Sequence, residues 1–225
     1  MRFIKIKNQI EATDILFNHL LLSLKNNNSV SWVVSGGSNI DMTVKVFNKL
    51  NFDLIQRLTI LLVDERYGIP GHPNSNYSQL ESAGLDFSKV KNLKVLKSSA
   101  LSFDETANEY NSSVSQVFEK SDYIIGQLGI GVDGHTAGIL PYTSAVLNTK
   151  DLVTNYVGKD YSRITMTLNA LKNMSEILVF VFGENKKQVL INLQEKDLSY
   201  EEQPSMIFRN IKNVYIINDM IGENK

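Results

Sequence analysis

Runs of consecutive apolar residues alternate along this chain with stretches whose apolar residues recur every three or four positions. The continuous runs predict buried strands at residues 30–34, 58–63, 123–128, 177–182 and 214–217, with shorter strands at 93–96 and 152–157. The periodic stretches predict amphipathic helices at residues 11–25, 41–50, 103–119, 168–174 and 185–193. This alternation is typical of an α/β fold, doubly wound, with a mainly parallel sheet covered by helices on both faces.

The length and composition of the chain fit one domain. Its 225 residues are 43% hydrophobic, which is enough to bury a sizeable core. The sequence contains no Pro-rich linker and no internal repeat. We therefore expect residues 1–225 to form a single domain.

Charge and cysteine content exclude several classes of function. With 23 Lys and Arg against 24 Asp and Glu, the chain has no general attraction for nucleic acid, and we expect no nucleic-acid partner. There are no cysteines, so disulfides, thiolate metal sites and a cysteine nucleophile are excluded. The N-terminal stretch has neither a signal-peptide pattern nor a membrane-spanning run, and we expect a cytoplasmic protein without membrane association.

Polar or glycine-rich segments directly follow three of the predicted strands. They are SGGS at residues 35–38, DER at 64–66 and GIGVDGHTAGILP at 129–141. Open α/β sheets bind ligands at the carboxyl ends of their strands, where such segments lie. These three segments are therefore candidates for one site.

The SGGS segment has the features of an anion-binding loop. Ser35, Gly36, Gly37 and Ser38 lie between a strand and the helix predicted to begin near Asp41, so their N–H groups can converge on a phosphate. The segment matches neither of the glycine patterns that bind nucleotides, which favours a sugar phosphate. Taken alone, a GG turn is weak evidence for ligand contact, and an ordinary turn is the alternative.

The two other segments offer groups for chemistry. His135 has an intrinsic pKa suited to a general base near neutral pH, and Asp133 is placed to orient it. A glycine-rich turn whose histidine is bound by backbone groups is the alternative. Asp64 and Arg66 follow an apolar strand, where they either face a cleft or are solvated at the strand end.

Five segments together resemble one family. They are similar to the signature segments of the 6-phosphogluconolactonase family, within the larger glucosamine-6-phosphate isomerase/deaminase-like group: VSGGSN (34–39), LLVDERYGIPGHPNSNY (61–77), GIGVDGHTAGILP (129–141), RITMTLNAL (163–171) and VFVFGENKKQVL (179–190). They occur in the family's order, and the resemblance runs from about residue 30 to residue 190.

The resemblance implies an activity and a substrate. The expected reaction is hydrolysis of 6-phospho-D-glucono-1,5-lactone to 6-phosphogluconate, a step of the oxidative pentose phosphate pathway that uses no cofactor. The expected partner is a small phosphorylated sugar lactone bound by one catalytic domain, in a monomer or small homo-oligomer. The sequence also has no His and carboxylate cluster at metal-ligand spacing, so we expect no metal.

The resemblance also implies roles for individual residues. The SGGS loop, Arg163 and Lys186 anchor the phosphate, with Lys187 as an alternative to Lys186. Asp64 and Arg66 line the active site, and Arg66 contacts the substrate. His135 is the base, oriented by Asp133.

Three residues or segments keep two readings each. Asn76 is a helix cap or a ligand contact, and His72 structures its loop or takes part in catalysis. The segment 203–213 departs from the family's usual ending, and it either closes the site or packs against the sheet.

Two other functions remain open. The aminosugar-phosphate isomerase/deaminase branch resembles DGHIAFNEPG where this chain reads DGHTAGILP, so the glutamate of that branch falls on Leu140. An aliphatic side chain cannot transfer protons during ring opening, which favours the lactonase. A sugar-phosphate sensor without catalytic activity is the other alternative, since a fold does not fix a function.

Overall fold

A computed structural model describes residues 1–222, and the strands within them form two sheets. The strands are β1 (Arg2–Lys5), β2 (Val30–Val34), β3 (Leu58–Leu62), β4 (Asp64–Arg66), β5 (Lys91–Leu93), β6 (Tyr123–Gly129), β7 (Val153–Val157), β8 (Ser162–Met166), β9 (Glu176–Val181) and β10 (Val214–Asn218). The helices are α1 (Gln9–Asn26), α2 (Ile40–Lys49), α3 (Phe52–Ile55), α4 (Asn76–Ser82), α5 (Phe103–Lys120), α6 (Leu168–Lys172) and α7 (Lys187–Glu195). No helix in residues 1–222 has the length and apolar character needed to span a membrane.

The larger sheet has seven strands in the order β1-β10-β9-β6-β2-β3-β5, and all neighbouring strands are parallel. From β2 the chain proceeds outward to β3 and β5, whereas from β6 it proceeds in the opposite direction to β9 and β10. The connections therefore diverge between β2 and β6. A crevice forms at the carboxyl ends of strands at such a switch point.

Helices cover both faces of the larger sheet. Because parallel crossovers are right-handed, α1 and α2 lie on one face, whereas α5 and α7 lie on the other. Strands β2 and β9 are buried along their whole length, and Trp32 and Phe180 are among the largest buried side chains. The predicted doubly wound α/β fold is confirmed.

The smaller sheet is antiparallel, has the order β4-β8-β7, and was not predicted from the sequence pattern. Only Val63 separates the end of β3 from the start of β4, and the Met166 N–H donates to the Val63 carbonyl at 2.8 Å. In the register of β4 and β8, Arg66 lies opposite Arg163, and Asp64 lies opposite Thr165. This sheet places the charged residues Asp64, Arg66 and Arg163 beside the carboxyl ends of the larger sheet.

Several predicted boundaries shift at the ends of elements. The strand predicted at 93–96 is Lys91–Leu93, because the edge strand pairs with β3 only over those residues. The predicted helix 185–193 starts at Lys187 after a 3₁₀ turn, and the predicted helix 168–174 ends at Lys172. The short edge strand β1 was missed.

Candidate active site

A cavity of about 220 Å³ lies at the switch point between β2 and β6, with the smaller sheet as its side wall. The structure brings nine of the ten residues that the sequence analysis selected to the lining of this cavity: Ser35, Gly36, Gly37, Ser38, Asp64, Arg66, His135, Arg163 and Lys186. The tenth, Asp133, is hydrogen-bonded to His135. The three segments after β2, β3 and β6 thus contribute to one site.

The SGGS loop is held close to neighbouring side chains at the N-terminus of α2. Gly37 has φ +62°, a left-handed conformation that glycine adopts without strain, and opens the 3₁₀ turn before the helix. A Cβ on Gly36 would overlap the side-chain amide of Asn76. Buried Asn39 donates from Nδ2 to the Ser35 hydroxyl at 2.7 Å. The loop N–H groups therefore sit at a helix N-terminus that favours a bound anion.

The strand β4 alternates its side chains between the cavity and the protein interior. Asp64 and Arg66 line the cavity, whereas Glu65 is fully buried on the other side. Burial raises the pKa of Glu65, although its carboxylate accepts hydrogen bonds from three backbone N–H groups and the Ser75 hydroxyl. Glu65 therefore anchors the start of α4 and does not take part in the site.

Two arginines are held side by side on the smaller sheet. Arg66 and Arg163 are opposite each other across β4 and β8, and their guanidinium carbons lie 5.6 and 5.5 Å from the ring centroid of Tyr161. Cation–π attraction acts at such distances. The Arg66 Nη1 donates to the Asn74 carbonyl at 2.9 Å, and Arg163 Nη1 donates to the Tyr161 carbonyl at 3.3 Å. Two adjacent cations favour an anionic ligand.

Asp64 lies between these cations and the histidine. Burial raises the pKa of Asp64, and the charges of Arg66, Arg163 and His135 partly oppose that rise. The carboxylate also packs against Gly138, whose missing Cβ leaves the space that Asp64 occupies. Asp64 thus balances part of the positive charge of the cavity.

His135 and Asp133 form a hydrogen-bonded pair on the loop after β6. The His135 Nδ1 is 2.5 Å from Asp133 Oδ1, which also accepts the backbone N–H of His135 at 3.2 Å. Burial tends to raise the pKa of Asp133, but the hydrogen bond and charge of His135 outweigh it and lower this pKa below its usual value. Because Asp133 occupies Nδ1, Nε2 is the ring nitrogen that can exchange a proton with a ligand.

Side chains of the smaller sheet fix the backbone after His135. Ala137 and Gly138 have φ values of +53° and +71°, and a left-handed alanine is uncommon. The Thr165 hydroxyl donates to the Ala137 carbonyl, and Tyr156 Oη donates to the Gly138 carbonyl at 2.5 Å. Burial raises the pKa of Tyr156 to about 12, so this hydroxyl keeps its proton near neutral pH.

The segment 203–213 packs behind the histidine loop and does not line the cavity. The Ser205 N–H donates to the Gly134 carbonyl at 3.0 Å, and buried Gln203 occupies the space next to Gly134. Gly134 has φ +83°, a left-handed conformation that favours glycine, and a Cβ there would overlap the Gln203 side chain. Glycine is therefore required at this position for two reasons. The segment is therefore absent from the cavity lining and packs against the histidine loop.

Lys186, and not Lys187, reaches the cavity. Lys186 ends the 3₁₀ turn Glu184–Lys186, and burial lowers its pKa. The Lys187 ammonium instead lies 2.7 Å from the Glu184 carboxylate, outside the cavity lining. A partly desolvated lysine is stabilised in its charged form by a bound anion.

The structure also separates the readings of Asn76 and His72. Ser75 caps α4 by accepting the Ser78 N–H, so Asn76 is not the cap, and its side chain lines the cavity. His72 lies outside the lining, with Nε2 2.9 Å from the Arg66 carbonyl, which fits a loop-structuring role. Residues 1–222 contain no group of three or more His, Cys, Asp or Glu side chains arranged to hold a metal.

The residues that support the site from behind were not predicted from the sequence. Tyr161 contacts both arginines, while Tyr156 and Thr165 hold the histidine loop. All three lie on the hairpin formed by β7 and β8. The alternating pattern of residues in this hairpin could have predicted its strands, but it does not predict that β8 pairs with β4.

Comparison with known families places the chain among sugar-phosphate enzymes. Residues 9–216 match the family model described as glucosamine-6-phosphate isomerases/6-phosphogluconolactonase. A 6-phosphogluconolactonase of Helicobacter pylori is 30% identical over 182 residues, covering 79% of this chain and 78% of the relative. A 6-phosphogluconolactonase of Nostoc is 28% identical over 204 residues, covering 84% of this chain and 82% of that protein.

Solved structures show the same fold at lower sequence identity. The 6-phosphogluconolactonase of Trypanosoma brucei has a TM-score of 0.79 and 18% identity, with 96% of this chain and 95% of that chain covered. A monomeric glucosamine-6-phosphate deaminase also has a TM-score of 0.79 and 18% identity, with 97% of each chain covered. Because both activities occur on this fold, the fold alone does not choose between them.

Proposed function

The chain belongs to the glucosamine-6-phosphate isomerase/6-phosphogluconolactonase family, and from this we propose that it is a 6-phosphogluconolactonase. It hydrolyses 6-phospho-D-glucono-1,5-lactone to 6-phosphogluconate, a carboxylic ester hydrolysis in the pentose phosphate pathway. The relatives with 28–31% identity are lactonases. The observation that carries the proposal is a His–Asp pair and three cationic side chains around one cavity.

The phosphate binds to the SGGS loop, Arg163 and Lys186. The loop offers backbone N–H groups at the N-terminus of α2, Arg163 offers a planar fork of donors, and Lys186 offers a point charge. Each is suited to a phosphate dianion, and together they fix one end of the sugar ring. The lactone carbonyl then lies toward His135.

His135 acts as the general base through Nε2. It removes a proton from water, whose oxygen bonds to the lactone carbonyl carbon while the carbonyl electrons move onto its oxygen. The tetrahedral intermediate collapses with cleavage of the bond between that carbon and the ring oxygen. The ring oxygen takes the proton from His135 and becomes a hydroxyl, and the new carboxylic acid releases a proton to solvent.

Asp133 and Arg66 support these steps. The Asp133 carboxylate fixes the orientation of the imidazole and stabilises its charged form. Arg66 stabilises the developing oxyanion, since it lines the cavity next to Asp64 and Arg163. The hydrolysis consumes only lactone and water.

A deaminase is the second candidate, and Leu140 argues against it. Leu140 lines the cavity at the position that resembles the glutamate of the deaminase branch. A leucine cannot exchange the proton that aminosugar ring opening requires. A sensor without activity is the third candidate, but it gives no reason for the pairing of His135 with Asp133.

Turnover separates the three candidates. Fresh 6-phosphogluconolactone and glucosamine 6-phosphate are each incubated with the protein, and acid release and ammonia release are measured separately. We expect acid release from the lactone, well above its spontaneous hydrolysis, and no ammonia. Ammonia release would identify a deaminase, and binding of both compounds without turnover would identify a sensor.

The lactonase is expected to act as one catalytic domain of residues 1–225. Groups from residue 35 to residue 186 line a single cavity, so no shorter segment carries the site. A truncation that removes the smaller sheet would take Arg66 and Arg163 with it.

A further inference from the structure

Asn76 lines the cavity and carries a buried, unsatisfied acceptor. The residue is 1% exposed, and its Oδ1 has no hydrogen-bond partner within the described residues. Buried polar atoms are nearly always paired, and leaving one unpaired costs about 1–3 kcal/mol. Only Trp32 Nε1 and Arg66 Nε share this condition in residues 1–222. Two of these three atoms therefore belong to residues of one cavity.

The orientation of the Asn76 amide is fixed by its other end. The Nδ2 donates to the Asp64 backbone carbonyl at 2.8 Å, and a carbonyl can only accept. Exchanging the oxygen and nitrogen would bring two acceptors together, so Oδ1 must be the free atom. Its backbone is also fixed, because the Asn76 N–H donates to Glu65 Oε1 at 2.6 Å.

The surroundings of Oδ1 select the kind of group that it can bind. Oδ1 packs next to Gly36, where a Cβ would overlap it, so this side of the cavity is narrow. The atom carries a partial negative charge, and Asp64 lies in the same lining. An approaching phosphate or carboxylate oxygen would be repelled, whereas a neutral donor would satisfy it. A hydroxyl is such a donor.

We infer that Asn76 Oδ1 accepts a hydrogen bond from a ring hydroxyl of the substrate, and that Asn76 is a specificity-determining residue for polyhydroxylated lactones. The inference rests on the proposed function and deepens it, because it names a substrate group that the phosphate anchors do not read. A site built to bond a hydroxyl discriminates strongly against analogues that lack it, since its buried acceptor stays unpaired.

The test compares four lactones with two forms of the enzyme. The substrates are 6-phosphogluconolactone and its 2-deoxy, 3-deoxy and 4-deoxy analogues, and the enzymes are wild type and Asn76→Ala. We expect wild-type kcat/KM to fall roughly tenfold or more for one deoxy lactone. Asn76→Ala should lose a similar factor on the parent lactone, and removing that hydroxyl should then cost it nothing further.

A control variant separates lost recognition from lost structure. Asn92 also donates from Nδ2 to backbone carbonyls, those of Phe87 and Val90, and lies outside the cavity lining. Asn92→Ala should keep the wild-type ratios for all four lactones. If Asn76→Ala fails to fold, Asn76→Leu replaces it, because leucine keeps the side-chain volume and lacks the acceptor. The wild-type kcat/KM values for the parent and deoxy lactones show in either case whether a ring hydroxyl is recognised.

The outcomes are distinct for the two proposals. Absence of parent lactone turnover by the wild type would refute the proposed function and this inference with it. A second result is that the wild type turns over the parent lactone while the ratio of its kcat/KM values for the parent and each deoxy lactone equals the ratio for Asn76→Ala. Equality at all three positions would refute this inference and leave the proposed function intact. A water molecule bound to Oδ1 in place of a substrate hydroxyl would give that second result.

Discussion

Replacing Gly138 with alanine tests whether the backbone after His135 must leave room for Asp64. Gly138 has φ +71°, and a Cβ there would lie 2.7–2.8 Å from the Cβ, Cγ and Oδ2 atoms of Asp64. Ordinary contact begins at 3.4 Å, so the carboxylate must move by several tenths of an ångström. Rotation of the Asp64 side chain would relieve the contacts to Cγ and Oδ2 but not the contact to Cβ, so the backbone at residue 64 or residue 138 has to shift as well.

Two separate costs follow from this geometry. The left-handed backbone penalises any side chain by about 1–2 kcal/mol, which lowers the Tm of a protein of this size by roughly 2–8 °C. The displacement of Asp64 affects a residue in the lining beside Arg66 and His135. Since a misplacement of about 1 Å can cost 10²-fold in rate, we expect kcat/KM to fall by about tenfold or more.

Gly71 provides the matched control. It has φ +86°, no atom lies within 4 Å of the position that a Cβ would take, and the residue is outside the cavity lining. Gly71→Ala should therefore show a similar fall in Tm from the left-handed backbone and keep the wild-type kcat/KM. Thermal melts and lactone hydrolysis of both variants are the measurements. A Gly138→Ala enzyme as active as Gly71→Ala would refute the reasoning that this contact positions Asp64.

Four further outcomes are expected. His135→Ala should lower kcat by roughly 10²- to 10⁴-fold without changing the fold, and near-normal turnover would remove His135 from the mechanism. Arg163→Ala and Lys186→Ala should each lower kcat/KM about tenfold or more on the phosphorylated lactone and much less on gluconolactone, whereas equal losses would place these cations elsewhere. Tyr161→Ala should raise KM, because Arg66 and Arg163 lose the ring that holds them, whereas Tyr161→Phe keeps the ring and should leave KM unchanged. Equal effects of the two substitutions would exclude positioning by the cation–π contacts. Because the pKa of Asp133 is lowered in the folded state, its carboxylate stabilises the fold above the usual pKa of 3.8, and this stabilisation is lost as the pH falls through the lowered pKa. Thermal melts from about pH 2 to 6 should therefore show a smaller fall in Tm with acid for Asp133→Asn than for the wild type, and equal falls would exclude this contribution.

The sequence pattern predicted the larger sheet well because its strands are buried on both faces. A continuous apolar run such as residues 177–182 is hard to interpret as anything but a buried strand once helices flank it. The glycines and charged residues at the strand ends then indicated the cavity, since parallel strands present those ends on one edge. Position along the chain was enough for this part of the site.

The smaller sheet could not be predicted in the same way. Strand β4 has only three residues, all charged, and it is stabilised by pairing with β8 about a hundred residues away. The proximity of Arg66 to Arg163 follows from that register, which no local pattern encodes. The roles of Tyr156 and Tyr161 depend on the same pairing and were missed with it.

The division of the cavity between two sheets has an evolutionary consequence. The larger sheet carries His135 and the SGGS loop on strands that a deep core constrains, whereas Arg163 and Tyr161 belong to a hairpin that lies beside that core. If the proposed roles hold, substitutions in the hairpin can change the anion site while His135, the proposed base, stays in place. A fold arranged in this way can acquire new substrates by altering one of its two sheets, which is consistent with lactonases and a deaminase sharing it.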